Sequence, residues 1–176
     1  LETALKSGDP TAILKQLKRA WGKVKEANLE VPIATLFSQD LLRLPSTGAD
    51  ADLISRIALL SPDYESVAQR ETSDATLKVA QSIAIGEPKA DSTVQISAAI
   101  EAGFSGSGAP ARLSEMVADD RLGEAILRAM ALTASGAAGD SAALQSGLAF
   151  LRSVGLEDTA RRTALQVLLL ERRDQG

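Results

Sequence analysis

The stretch DSAALQSGLAFLRSVGLEDTARRTALQVLLL, residues 140–170, decides the fold. Asp140 is a helix N-cap acceptor, and Leu144, Leu148, Leu151 and Val154 follow it at helical spacing. Gly155 supplies the left-handed residue that closes this helix. A second helix is expected from Asp158 to Arg173, burying Ala160, Ala164, Leu165 and Leu168. Its last turn carries Arg172 and Arg173, where positive charge suits the helix dipole. Val167–Leu170 is a continuous apolar run that could read as a strand, but helical flanks on both sides make it helix.

The same grammar extends upstream. Asp9-Pro10 is an N-cap followed by proline at the first helical position, and Ile13, Leu14, Leu17, Ala20, Trp21 and Val24 form one stripe behind it. Asn28 stops that helix. Pro32 opens another, whose buried face is expected to be Ile33, Leu36, Phe37, Leu41 and Leu44. Further helices carry Leu53, Ile54, Ile57 and Leu60, then Tyr64, Val67 and Ala68, then Leu77, Ala80, Ile83 and Ala84. Asp91 is expected to cap a helix with Val94, Ile96, Ala99 and Ile100. Ser105-Gly106-Ser107-Gly108 is the most flexible tract and the expected hinge. Beyond it lie a helix with Leu113, Met116 and Val117, then one burying Leu122, Ala125, Ile126, Ala129 and Met130, with a loop at Gly136–Gly139. The expected class is all-α: stacked antiparallel helical hairpins like an α-solenoid, or alternatively an irregular compact bundle. Hairpins are expected over residues 1–104 and 111–176, with a linker at 105–110, together forming one continuous domain.

Helix starts near residues 91 and 140 are offset by roughly 49 positions, overlaying Asp91-Ser92 on Asp140-Ser141 and Gly106 on Gly155. The helix–turn–helix rhythm of Asp140 to Leu170 resembles helical-repeat proteins of the tetratricopeptide and HEAT-like kinds. The resemblance covers about the last hundred residues and is one of architecture, because the Trp, Leu-Gly, Tyr, Ala, Phe and Pro signature of the tetratricopeptide is missing. The segment from Gly155 to Arg162 also resembles the ends of large alphaproteobacterial proteins; the resemblance implies a helical scaffold, with the cell envelope as one expected location and the compartment left open between periplasm and cytoplasm.

Composition narrows the chemistry. The chain of 176 residues has no His and no Cys, the side chains most used for catalysis and metal binding, and no disulfide is available. Aromatics make up 3% of residues, so the core is built from Leu, Ile, Val and Ala, whose small members permit close helix approach. A net charge of −4 argues against a dedicated nucleic-acid binder. The first helix is nevertheless basic, with Lys15, Lys18, Arg19, Lys23 and Lys25. A solvated face accounts for it; contact with a membrane surface or nucleic acid is the rival. No apolar run approaches eighteen residues, so no transmembrane span is expected. The chain begins at Leu1 rather than Met and is expected to be a fragment or processed form.

Without His, acid–base work would fall to carboxylates, Lys or Tyr. Asp119-Asp120 and Glu157-Asp158 are acid pairs whose expected position at helix starts suits the dipole. Tyr64-Glu65-Ser66 has the Glu-Ser order of lytic transglycosylases, but the other motifs of that family are missing. No spaced oxygen-ligand loop occurs, and no Gly-Lys-Ser/Thr follows the glycine tract, so no cofactor or metal is expected. The expected role is therefore non-catalytic: a protein–protein interaction or scaffold module whose helix faces hold another protein or peptide. A helical accessory domain of a larger enzyme is the alternative. Candidate surface residues are Trp21, Arg161, Arg162 and Arg172, with Arg161 and Arg172 three helical turns apart on one face.

Overall fold

A computed structural model of the chain describes residues 8–106 and 109–170. The described residues form nine α-helices and one short 3-10 helix, with no strand among them. In chain order these are α1 (Pro10–Glu26), α2 (Glu30–Leu42), α3 (Ala49–Leu59), the 3-10 turn Tyr64–Val67, α4 (Ala75–Ala84), α5 (Ser97–Phe104), α6 (Ala111–Ala118), α7 (Leu122–Ala137), α8 (Ser141–Ser153) and α9 (Glu157–Leu169). No helix among the described residues is long and apolar enough to cross a membrane.

Several starts and stops follow local chemistry. Asp9 accepts a hydrogen bond from the Thr11 amide, with Pro10 at the first helical position. Asp74 and Asp140 cap α4 and α8 through the amides of Leu77 and Ala143. Asn28 takes φ 53°, so α1 ends before it, and Gly155 at φ 82° ends α8. Asp91 behaves differently from the expectation. Its carboxylate accepts from the Thr93 amide and hydroxyl, closing a turn six residues before α5 begins. Asp91 and Asp140 thus occupy different local structures despite the 49-residue overlay. Asp119 and Asp120 close α6, with Asp120 at φ 59°, rather than opening a helix.

Packing is partly local and partly long-range. Sequence neighbours α2 with α3, α6 with α7, α7 with α8, and α8 with α9 pack together. Beyond these, α5 packs on α8 and α4 on α9, joining residues before the 105–110 tract to residues after it. The Arg152 guanidinium spans that junction, lying 4.8 Å over the Phe104 ring and donating to the Phe104 carbonyl. Of the expected hinge, Ser105 and Gly106 are described, while Ser107 and Gly108 lie outside the described residues.

The core is mostly aliphatic, with Ile54, Ile57, Leu77, Ile83, Ile100, Leu144 and Leu148 fully enclosed together with the aromatic Phe150. Two helices orient otherwise than their large residues suggest. On α2 the buried positions are Glu30, Ala34, Ser38 and Leu41, while Leu36 is 70% exposed. On α7 they are Ala125, Ala129, Thr133 and Gly136, while Leu127 and Met130 face outward; Leu122 lies on the buried arc but, as the first residue of the helix, is 44% exposed. Gly136 belongs to α7 rather than to a loop, and its Cα lies against Leu144 of α8. The reason is approach distance: small side chains bring two helix axes close, so the small face goes inward and the larger residues go out.

Candidate functional site

The outer face of α7 is built by this inversion. With Ala125, Ala129, Thr133 and Gly136 turned onto α8, the opposite arc presents Gly123, Leu127, Met130, Ala131, Ala134 and Ala138. All six are exposed, with Leu127 at 66% and Met130 at 54%. At 100° per residue they fall within about 100° of helix circumference and extend about 22 Å along the axis. Ile126 and Ala137, half-buried, continue the apolar surface toward the core.

Charge is confined to one edge and one end. Glu124 accepts from Arg121 Nη2 at 2.6 Å and from Arg128 Nη2 at 2.8 Å. Arg128 first, then Arg121, hold its carboxyl below the ordinary carboxylate range. From Ala129 to Gly139 no residue is charged, and the last turn of α7 has no basic side chain. A helix apolar on both faces is ordinarily enclosed. Here one face is enclosed by α8 and the other is open.

The residues singled out from sequence lie elsewhere. Trp21 is 8% exposed and belongs to the core with Ile13 and Leu17. Arg161 is half-buried: its Nε meets Glu157 at 3.1 Å and its Nη1 meets Glu65 at 3.0 Å. Its Nη1 also donates to the Ala84 carbonyl at 3.4 Å, and the guanidinium packs on Gly86, tying α9 to the end of α4. It is an interhelical tie rather than part of an open cationic face. Arg162 pairs loosely with Asp158 at 3.9 Å on the exposed side, and Arg172 lies outside the described residues. No hydrogen bond or ion pair joins Trp21 to Arg161 or Arg162 among the described residues.

The acidic candidates are likewise engaged. Tyr64 donates its hydroxyl to Asp158 at 2.8 Å. Burial first, and then that hydrogen bond, push its pKa up to about 12. Glu65 carries the ion pair to Arg161. Glu157 receives Arg152 Nε at 2.6 Å as well as Arg161. Burial alone would raise its pKa, but the two guanidiniums prevail and hold it below the ordinary range. An open cleft of about 490 Å³ is lined by Gly48, Asp52, Glu71, Thr72 and Ser73. Its Asp52 accepts the Thr72 hydroxyl at 2.7 Å, and that hydroxyl oxygen accepts the Asp74 amide at 3.1 Å. Among the described residues no group of three or more acidic side chains could hold a metal ion.

The α7 face was hidden in the sequence because Leu122, Ile126 and Met130 form a plausible buried stripe. The signal that could have exposed it is the eleven-residue charge-free run of 129–139, which contains the closely packed Gly136. No protein-family model, no curated protein and no solved structure matches the chain.

Proposed function

We propose that this chain is a non-catalytic protein–protein interaction or scaffold module, and that the outer face of α7 is its docking surface for an apolar helix. The observation that carries the reading is the exposure of Leu127 and Met130 on an uncharged face of a helix already packed through its opposite face. A helix laid along this face would bury both large side chains and seat its own between the alanines. The pairings of α4 with α9 and α5 with α8 support a compact stack of hairpins over an open solenoid, in which helices meet mainly their sequence neighbours.

The test is site-specific photo-crosslinking. A photoreactive phenylalanine at position 127 is introduced into the full protein in its source cells, with position 16, exposed on α1, as the background. A discrete product at 127 that disappears with Ala131→Glu supports the docking face. Products no different from the position-16 background would remove it.

A further inference from the structure

Resting on that docking face, we infer that its occupant is a second copy of this chain, paired antiparallel through α7 about a two-fold axis between Met130 and Ala131. The stripe is self-complementary in size. In that register Leu127 faces Ala134 of the second copy, Met130 faces Ala131, and Gly123 faces Ala138. Each large side chain therefore meets a small one. An isologous interface requires this reciprocity, because every contact is made twice. A register displaced by one helical turn would instead set Leu127 against Met130 and leave a gap between Gly123 and Ala134.

Charge agrees with the same register. The Arg121–Glu124–Arg128 cluster carries two positive groups and one negative, and sits at the first turns of α7. Antiparallel pairing brings it beside the last turn of the other α7, whose carbonyls have no basic side chain of their own. Cationic groups are favoured at that end of a helix. Nothing charged falls across the middle of the interface, where an unpaired ion would be desolvated. A parallel pairing would align the two arginine clusters with each other.

Size sets the strength. A standard stable interface uses about 20–30 residues a side, whereas this stripe supplies the six named above. The dimer is therefore weak and forms only at high protein concentration.

The chain contains no cysteine, so one introduced thiol reports the geometry cleanly. Ala131→Cys places a thiol beside the axis in each copy, and Gln16→Cys places one on α1 as the collision control. Under mild oxidation Ala131→Cys is expected to form a disulfide dimer at least tenfold faster than Gln16→Cys. In sedimentation from about 10 μM to about 1 mM, the unmodified chain should shift from monomer to dimer. Ala131→Glu, checked for unchanged helix content, should weaken that association at least tenfold. A monomer at every concentration, with Ala131→Cys no faster than the control, overturns the self-pairing. In that case a different protein crosslinked at position 127 would leave the docking face standing, and no product there would remove both.

Discussion

Gly147 of α8 lies beneath Thr133 of α7 so closely that a Cβ added at 147 would sit 2.7 Å from Thr133 Cγ2. The same atom would lie 2.9 Å from the Ala129 carbonyl oxygen, which is backbone and cannot turn aside. One helical turn or so along each helix, Gly136 repeats the arrangement against Leu144, where a Cβ would come within 2.4 Å of Leu144 Cβ. These two contacts fix how closely α7 and α8 approach. They thereby fix which face of α7 is left outside.

Gly147→Ala should destabilise the fold. Overpacking of this kind costs roughly 1–3 kcal/mol, while the better helix propensity of Ala returns up to about 1 kcal/mol. A net loss is expected in urea denaturation. A stabilised Gly147→Ala variant would show that the helices are not in close contact there.

The outward residues should matter little to the monomer. Met130→Gln and Leu127→Gln are expected to change stability by no more than about 0.5 kcal/mol, as surface substitutions usually do. Leu144→Ala, at a fully enclosed position, should cost about 2–5 kcal/mol. Denaturation midpoints measured at low protein concentration separate the two classes. Equal losses would place Leu127 and Met130 in the core.

Tyr64→Phe removes the hydroxyl that reaches Asp158 and should cost about 1 kcal/mol at neutral pH. The raised folded pKa gives the sign at high pH. The neutral phenol stabilises the fold fully below its ordinary value near 10, and this contribution is lost as pH rises toward about 12. The unmodified chain should therefore lose stability over that window faster than Tyr64→Phe. Parallel melting curves against pH would mean the hydroxyl is not held by Asp158.

Glu157 acts at the opposite end of the scale. Its folded pKa lies below the ordinary carboxylate value, so its contribution is present above about 4.3 and fades as pH falls through the lower folded value. Glu157→Gln should lower the melting temperature near pH 6 and flatten its decline in acid. If the variant and the unmodified chain fall together from pH 5 to about pH 3, Arg152 and Arg161 are not exerting the proposed hold.

Helix ends are legible in the sequence wherever one residue carries its own conformational reason. Asp9-Pro10, Asp140 and Gly155 act as a cap, a cap and a left-handed stop, and the all-α class follows from them and from the apolar spacing. Asp91 looked identical to Asp140 in type, yet its carboxylate turned to Thr93, two residues away, and capped nothing. A side chain that can satisfy either a turn or a helix end is not decided by its own identity. The expected surface residues Trp21 and Arg161 were visible as unusual side chains, but Trp21 is enclosed by tertiary packing and Arg161 is held in part by Glu65, 96 positions away in sequence.

Helical character, several helix starts and stops, and the lack of His- and Cys-based chemistry are written in the residues of this chain. Only the tertiary structure decided which way α2 and α7 face. Hydrophobic spacing marks a stripe, and on a helix rich in alanine two stripes compete for the interior. The choice between them belongs to the partner helix: Gly147 and Leu144 on α8 accept Ala129, Thr133 and Gly136 at close range, and that leaves Leu127 and Met130 outside.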